Sequence, residues 1–468
     1  MRVVISALEE RLDAPTAKGL AQAVTRAIRD ATLQPGDQLP PIRRVAEELM
    51  MSPTTVSAAW SLLARSGTIR SDGRRGTTIA PTARGGERYT RALRHESPVR
   101  LDLSTGIPDG ALLPALGPVL AGLSEPATPS SYLDDPVLDE LRAVLVEDWP
   151  YAAEELLVVD GAMDALDLVS RTLLRPGDLV LVENPGFPPL LDLLEDRGVD
   201  VVGVPLDETG LDLDRVEELL PRRPAAVVLQ PRGQNPTGVS MSPTRARRLA
   251  ALLRGHDCLV VEDDSSGPIS TSAAISLGAW IPDQVLHIRS FSKSHGPDLR
   301  IAAMSGPAAL LAPVRHARAV GQGWTSRLLQ RVLAGLLRDD ECARSTAVAR
   351  AEYARRRELV VDRLATHGID VPGSDGLNIW VPVRDEAAAV LRLASQGIAV
   401  TPGSPFAVDH PTGTRGSAGS TGSPAPGGPT APAGHVRVTT GLLRENHAEV
   451  ADLIAEAAAA GAWTAQHR

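Results

Sequence analysis

Short β-like runs alternate with helical stretches over most of the chain beyond residue 101, and this alternation restricts the fold more than any other feature of the sequence. Helical spacing of apolar residues separates most of the runs, and one helix is expected to begin at Ala162. Such alternation predicts an α/β domain with a largely parallel sheet. The strand candidates are Leu156–Val159, Leu179–Val182, Val201–Val204, Ala226–Leu229, Leu259–Val261 and Val285–Ile288.

The formal charge divides the chain into a basic N-terminal part and an acidic remainder. The length of 468 residues predicts two or three domains. Residues 1–100 carry 16 Lys and Arg and 10 Asp and Glu, a charge of +6, so that the remaining residues carry −15 and the whole chain −9. A basic segment attached to an acidic body indicates that only the N-terminal part meets a polyanion such as double-stranded DNA.

Cysteine usage and the lack of a recognised targeting signal predict a cytoplasmic protein with no membrane span and no metal site, and a polyanion-binding segment in that compartment predicts association with the nucleoid. We recognise no signal peptide, and no apolar run reaches the roughly 18 residues that a membrane span requires. Cys258 and Cys342 have no metal-ligand spacing and indicate no disulfide framework.

The first eighty residues show three helical patterns and then a hairpin pattern, which predicts a winged helix-turn-helix domain over residues 1–80. Ser52 and Pro53 indicate the start of the third helix, as its N-cap and first residue. Strand-like runs then flank a Gly-rich turn at residues 72–76. The residues expected to face inward are Leu20, Val24, Ala27, Ile28, Ala31, Ile42, Val45, Ala46, Leu49, Val56, Ala59, Trp60 and Leu63.

The third helix of such a domain enters the major groove of DNA with its early residues, while arginines on neighbouring elements contact phosphates. Periodicity alone leaves open a small three-helix bundle with solvated arginines. The DNA-binding candidates are Pro53, Thr54, Thr55 and Ser57 for base edges, Arg43 and Arg44 for phosphates, and Arg74 and Arg75 at the hairpin tip for phosphate or the minor groove.

The same segment resembles the DNA-binding domain of GntR-type regulators over residues 17–80. The run Leu39–Leu49, the run Met51–Val56 and the wing from Gly67 to Thr77 carry the resemblance. It implies that the N-terminal domain binds DNA.

Two further segments have the composition of linkers. Residues 81–100 contain a glycine pair, several arginines and little apolar content, which predicts a flexible basic linker. Residues 409–434 are rich in Gly, Ser, Pro, Thr and Ala without periodicity, which predicts a disordered insertion into the domain at residues 101–468.

Lysine is almost absent from the chain: Lys18 and Lys293 are its two lysines, against 46 arginines. Chemistry that needs a primary amine beyond the N-terminal segment therefore has one candidate, Lys293, which follows the strand candidate Val285–Ile288. Pyridoxal 5′-phosphate needs such an amine for a Schiff base, an anion at its ring nitrogen, a helix N-terminus or hydroxyls for its phosphate, and a stacking face.

Candidates for the other requirements follow the remaining strand candidates, where parallel sheets bind ligands. Asp263 could pair with the ring nitrogen, the Asn235 amide could bond the ring hydroxyl, and Phe187 could cover the ring. The backbone of Asp160–Met163 turns into a helix and could face the phosphate. Each piece alone has an ordinary alternative: a solvated lysine, a strand cap, a turn or a core phenylalanine.

From Ser104–Asp109 to Val436–Val438 the chain resembles the class I aminotransferases, which are fold-type I pyridoxal-phosphate enzymes. The resemblance implies that Lys293 forms an internal aldimine, that Asp263 pairs with the ring nitrogen and that Asn235 bonds the ring oxygen. A surface position or an ordinary ion pair for Arg300 and Arg437, and buried packing for Tyr132, remain alternatives. The other implied contacts are stacking by Phe187, phosphate contacts from Ala162, Met163, Ser290, Arg300 and Tyr132 of the partner subunit, and an effector site at Gly106 and Arg437, where the guanidinium clamps an α-carboxylate.

A GntR-type domain joined to this body resembles the MocR subfamily of transcription regulators, and the run Ser290–Arg300 agrees with that subfamily. Two positions depart from it. Ser265 stands where the family has an aromatic or imidazole side chain, and Val137 stands where it has a glycine. Ser265 offers neither a phenol nor an imidazole to the cofactor's oxygen, so this departure bears on transamination and not on Schiff-base formation.

Three functions remain possible at this point. The first is a homodimeric transcription regulator that holds pyridoxal 5′-phosphate and responds to that cofactor or to an amine or amino-acid effector. The second is an active aminotransferase with an accessory DNA-binding domain. The third is a DNA-binding protein whose aminotransferase-like body serves only for dimerisation.

Overall fold

A computed structural model describes residues 2–12, 14–29, 32–34, 36–65, 69–72, 76–79, 88, 90, 99–123, 131–408 and 434–460. The chain divides into two compact units, residues 1–87 and 88–468. Of the predicted linker, Arg88, Thr90, Val99 and Arg100 are described, and its other residues lie outside the described ranges. The predicted insertion also lies outside them, except that Gly434 begins a strand.

The N-terminal unit packs its helices around one apolar core, which confirms the helix-turn-helix pattern. The helix that begins at Pro53 is capped by Ser52, whose Oγ accepts the Thr55 N–H at 3.0 Å. Val56 and Ala59 of this helix are fully buried beside Val24 of an earlier one. Ala31 lies outside the described residues.

The wing contains one more strand than the sequence pattern indicates. Ile69–Asp72 pairs with Gly76–Ile79 as an antiparallel hairpin, as expected. Gln38–Leu39 adds a third strand on the other side of Gly76–Ile79. Two residues are too few to show a period of two, so periodicity could not have indicated this strand.

An eight-stranded sheet forms the centre of the second unit and contains all six predicted strands. Five strands of this sheet run parallel to one another, in agreement with the expected largely parallel arrangement. Ala302–Gly306 runs antiparallel between Val285–Ser290 and Glu155–Val159. The chain therefore doubles back after Val285–Ser290 without a crossover helix, through the loop that carries Lys293.

Both faces of this sheet are buried, as is usual for parallel strands. Val180, Val182 and Val261 face one apolar core. Leu181 and Val260, their neighbours in sequence, face another core on the opposite side of the sheet. Side chains therefore alternate strictly between the two faces, and this alternation sets the face on which each strand-end residue lies.

A smaller sheet and three helices form the C-terminal part of this unit. Ile379–Val383 and Thr401–Pro402 flank Gly434–Val438, and all three strands are antiparallel. Their apolar faces pack against the long helix Asp340–Thr366 and against Glu386–Ser395 and His447–Ala458. None of the helices within the described residues is long and apolar enough to cross a membrane.

Helices and strands have well-defined bounds in both units. The helices are Arg2–Glu9, Ala17–Arg29, Ile42–Glu48, Pro53–Arg65, Gly117–Gly122, Asp139–Glu147, Ala162–Leu173, Pro188–Asp196, Leu213–Leu219, Pro243–Leu253, Ala308–Ala319, Arg327–Arg338, Asp340–Thr366, Glu386–Ser395 and His447–Ala458. The strands are Gln38–Leu39, Ile69–Asp72, Gly76–Ile79, Leu101–Asp102, Glu155–Val159, Leu179–Asn184, Asp200–Asp207, Gly210–Leu211, Ala226–Leu229, Leu259–Asp264, Val285–Ser290, Ala302–Gly306, Ile379–Val383, Ile398–Ala399, Thr401–Pro402 and Gly434–Val438.

Candidate functional site

Polar side chains gather at the carboxyl ends of three adjacent parallel strands. Asp263 lies within the strand Leu259–Asp264, which is longer than the sequence indicated, and is 2% exposed. Asn235 follows the neighbouring strand Ala226–Leu229 and is buried. Lys293 follows the third strand, Val285–Ser290, and is partly buried. This is the edge of the sheet at which α/β proteins bind ligands.

The carboxylate of Asp263 accepts hydrogen bonds on both of its oxygens. Gln230 Nε2 donates to Oδ2 at 2.8 Å, and Ser265 Oγ donates to Oδ1 at 2.5 Å. Burial raises the pKa of Asp263, although these two donors and the nearby Lys293 oppose the rise. A cation placed against this carboxylate would offset the cost of burying its charge.

The amine of Lys293 lies in an environment that favours its neutral form. Burial lowers the pKa of Lys293, and the positive charge of Arg437 lowers it further, whereas Asp263 opposes both. A neutral amine is the form that attacks a carbonyl, so the position suits covalent attachment.

The start of the helix Ala162–Leu173 forms a concave backbone surface beside Arg300. Gly161 precedes this helix with φ of 100°, and a Cβ at this position would lie 3.1 Å from Nη2 of Arg300. Ala162 and Met163 follow in the first turn, where backbone N–H groups face outward and favour an anion. Ser290 is the last residue of the strand Val285–Ser290, close to Lys293 in sequence, and is 5% exposed.

Arg437 is not a surface arginine, so that alternative is wrong for this residue. Its side chain is fully buried on Gly434–Val438, and it donates to Thr401 Oγ1 at 3.0 Å and to the carbonyl oxygen of Ser104. Its Nη1 also lies 3.3 Å from Asn235 Oδ1. Gly106 has φ of 67°, and a Cβ there would lie 3.4 Å from the same Nη1. Gly106 thus leaves room beside the guanidinium.

The two predicted aromatic contacts differ in their surroundings. Phe187 is half-buried, caps the helix Pro188–Asp196 and packs against the main core. Tyr132 is 92% exposed and stacks on Trp324 with ring centroids 5.6 Å apart. Buried packing within its own chain is therefore wrong for Tyr132. Arg300 is likewise exposed, and its Nη2 lies 3.4 Å from the carbonyl oxygen of Asp160.

Several residues of the site were not found from the sequence. Gln230 directly follows the predicted strand Ala226–Leu229, so its position at the end of a parallel strand could have marked it as a site residue. Asn378 donates to Asn235 at 3.4 Å, and Arg318 neutralises Asp160 and Asp164 at 3.0 and 2.6 Å. Asn378 and Arg318 lie far from their partners in sequence, and no local pattern marks them.

These groups match the chemical requirements of pyridoxal 5′-phosphate. An amine with a lowered pKa, a buried carboxylate, a side-chain amide and a helix N-terminus with an adjacent arginine lie at one edge of the sheet. The residues present therefore fit this cofactor.

Comparisons with known proteins identify the family. The family of aminotransferases of class I and II matches residues 99–425, and the gntR family of bacterial regulatory proteins matches residues 16–79. The vitamin B6 salvage pathway transcriptional repressor PtsJ of Salmonella typhimurium is 34% identical over 411 residues, which cover 86% of this chain and 93% of that protein. The chain belongs to the MocR-type transcription regulators.

Other similar proteins agree with this assignment. The pyridoxine biosynthesis transcriptional regulator PdxR of Corynebacterium glutamicum is 28% identical to this MocR-type regulator, over 82% of this chain and 86% of that protein. The solved kynurenine aminotransferase of Pyrococcus horikoshii has a TM-score of 0.64 at 23% identity and covers 78% of this chain and 93% of its own. The structural likeness shows the fold alone: a fold-type I aminotransferase-like domain.

The DNA-binding domain of this MocR-type regulator exposes four of the six predicted contact residues that the structure describes. Pro53, Thr54 and Ser57 are exposed at the start of their helix, and Thr55 is partly buried. Arg43 is exposed, whereas Arg44 Nε pairs with Glu48 at 2.8 Å. Arg74 and Arg75 lie outside the described residues.

Proposed function

We propose that this MocR-type regulator binds pyridoxal 5′-phosphate covalently through Lys293 and that the cofactor, or an amine that exchanges with Lys293, changes its affinity for an operator. One observation carries the proposal: the lysine that follows Val285–Ser290 has Asp263 and Arg437 as the two charged residues that most affect its pKa. The names of two relatives, which refer to vitamin B6 salvage and pyridoxine biosynthesis, support it.

The residues of the site would divide the work of holding the cofactor. When bound, the cofactor supplies an aldehyde that condenses reversibly with amines. Asp263 would hold the proton on the ring nitrogen, and Asn235 would donate to the ring oxygen. Phe187 would cover the ring and exclude water from it. Ala162 and Met163, with Ser290 and Arg300, would bind the phosphate, as would Tyr132 of the partner subunit.

Arg437 gives the effector its chemical class. A buried planar guanidinium binds a carboxylate through two parallel hydrogen bonds, and Gly106 leaves space for one beside it. We therefore propose an amino acid as the effector, with pyridoxal 5′-phosphate itself as the alternative that the relatives' names favour.

A homodimer would place Tyr132 of one subunit near the cofactor phosphate of the other. Tyr132 and Leu133 are 92% and 94% exposed, so that two neighbouring large side chains of the single chain face water. A second copy of the chain that covered them would bring Tyr132 to the phosphate of its partner. Two DNA-binding domains would then read two half-sites of double-stranded DNA with a fixed spacing.

Visible absorption and DNA binding, measured on the same samples, test the proposal. We expect wild-type protein to gain a visible band with pyridoxal 5′-phosphate and Lys293→Ala to gain none, because the amine is lost. Lys18→Ala is the matched control and keeps the band. Amino acids, amines and the cofactor are then titrated while affinity is followed for a DNA fragment selected by the protein from random sequences.

Two outcomes would contradict the proposal. Protein that stays colourless in the cofactor would exclude covalent attachment, and operator affinity that no compound changes would exclude the sensing role. Steady turnover with an α-keto acid would instead favour an aminotransferase with an accessory DNA-binding domain, for which Lys293 would serve as the acid–base group.

A further inference from the structure

Glu183 is a buried carboxylic acid to which the proposed function gives no role. It lies near the end of the strand Leu179–Asn184 and is 7% exposed. It borders a cavity of about 10 Å³, close to the smallest space that can hold one water molecule. The other lining residues are mostly apolar: Gly210, Leu211, Leu229, Gln230, Val239 and Met241.

Glu183 and Asp263 lie on opposite faces of the sheet. Glu183 shares the face of Leu181, whereas Asp263 shares the face of Val261, and these two apolar residues belong to different cores. Glu183 therefore cannot touch a cofactor held on the Asp263 face. Gln230 is the residue that contacts both carboxyl groups through hydrogen bonds.

Gln230 connects the two carboxyl groups through its backbone and its side chain. Its backbone N–H donates to Glu183 Oε2 at 3.1 Å, while its Nε2 donates to Asp263 Oδ2 at 2.8 Å. Its Oε1 accepts the backbone N–H of Asn235 at 2.8 Å. The side chain of Gln234 is a second hydrogen-bond partner of Glu183. Glu183 thus holds both ends of the segment that presents Gln230 and Asn235.

The surroundings keep the carboxyl of Glu183 neutral at pH 7. Burial raises the pKa of Glu183 to about 8, and the negative charge of Asp263 raises it too, against the effect of the Gln230 and Gln234 hydrogen bonds. On the other side, beyond Leu211, the charges of Arg245 and Asp207 pair with each other. A neutral carboxyl is the form that an apolar site accepts.

We propose that Glu183 is a positioning residue of the cofactor site, which fixes the 230–235 segment so that Gln230 supports Asp263 and Asn235 faces the cofactor. This role rests on the proposed function. Ionisation of Glu183 would bring an uncompensated charge into an apolar site and release the segment.

Three proteins test the role: wild type, Glu183→Gln and Glu183→Ala, with the exposed Glu217→Gln as the control for loss of one carboxylate. Pyridoxal 5′-phosphate affinity is measured from the visible band between pH 6 and 9.5. Glu183→Gln keeps the shape and the acceptor oxygen, so it should match wild type at pH 6.5. At pH 9 wild type should bind the cofactor roughly threefold or more weakly than Glu183→Gln. Glu183→Ala should bind roughly tenfold more weakly at every pH, because two buried donors lose their acceptor.

A second measurement needs no cofactor. In cofactor-free protein, the urea midpoint of wild type should fall relative to that of Glu183→Gln as the pH rises from 4.5 to about 8, because the folded carboxyl keeps a proton that the unfolded chain releases. Above about pH 8 the difference between the two urea midpoints should stay constant.

The outcomes separate the two proposals. Wild-type protein that takes up no cofactor would overturn the proposed function together with this role. Cofactor uptake with parallel pH profiles for wild type and Glu183→Gln would overturn the role of Glu183 alone, as would equal affinity in Glu183→Ala.

Discussion

Ser265 shows how one side chain changes what a shared site can do. Its Oγ donates to Asp263 Oδ1 at 2.5 Å, so the hydroxyl is directed at the partner of the ring nitrogen. The aromatic or imidazole side chain that the family has at this position would instead meet the ring oxygen. We therefore expect this chain to bind the cofactor firmly and to turn over slowly.

The preference that we propose for an amino-acid effector depends on one residue, Arg437. Arg437→Lys replaces a planar fork with a point donor, so it should weaken the response to the most effective amino acid by roughly tenfold or more. The response to the corresponding amine without a carboxylate should change little. Both are measured by titration of the visible band. Arg392→Lys, an exposed arginine that pairs with Glu456 at 2.9 Å, is the matched control. Equal losses for the amino acid and the amine would contradict the carboxylate role.

At the scale of elements, Asp109 attaches the segment that carries Gly106 to the long helix Asp340–Thr366. Asp109 is 1% exposed and accepts from Arg356 Nη1 at 2.9 Å, and its backbone N–H donates to the Tyr353 hydroxyl at 3.0 Å. Burial raises the pKa of Asp109, but hydrogen bonds from Arg444 and Arg356 outweigh it and hold the pKa well below its usual range. The segment that carries Gly106 is therefore positioned by a charge network outside the proposed cofactor site.

This network predicts unequal effects for its members. Asp109→Asn removes one of the two charge partners of the buried Arg356, which keeps its ion pair with Glu352 at 2.7 Å, and should lower the free energy of unfolding by about 2 kcal/mol. Arg444→Ala removes a guanidinium whose side chain is 63% exposed and should lower the free energy of unfolding clearly less than Asp109→Asn does. Urea denaturation at pH 7 measures both. Equal losses of unfolding free energy in the two variants would show that the burial of an ion pair with Asp109 does not determine how much the pair stabilises the protein.

At the scale of the whole molecule, a basic N-terminal unit precedes an acidic second unit, and Arg88, a described residue of the predicted linker, pairs with residues of the second unit. Arg88 pairs with Asp192 at 3.4 Å and with Glu195, both on the helix Pro188–Asp196 that follows Phe187. The linker thus meets the helix that Phe187 caps.

The proposed dimer can be tested with one exposed leucine. Leu133→Glu places a charge beside Tyr132 and should shift the protein toward monomer in sedimentation, since burying that charge is unfavourable. Cofactor affinity should fall with it. Leu391→Glu changes a leucine that is 66% exposed on the helix Glu386–Ser395 and should leave the dimer intact. A monomeric wild type, or a Leu133→Glu variant that stays dimeric, would contradict this surface as the interface.

Local patterns predicted much of the fold and the central groups of the site. Six of the eight strands of the large sheet were indicated by short β-like runs, and the third N-terminal helix by its Ser52 and Pro53. Because lysine is scarce in this chain, the sequence alone indicates Lys293 as the amine of the site. These inferences succeed because strand period, helix capping and residue supply are properties of neighbouring residues.

Only the tertiary structure decided which distant side chains meet. The burial of Arg437 beside Gly106, the hydrogen bond from Gln230 to Asp263 and the position of Glu183 behind that pair all join segments far apart in sequence. The sequence by itself determined the elements, the amine and the order of the domains. The charge states and partners of the site depend on burial and on distances across the sheet, and these exist only once the strands have paired and both faces are covered.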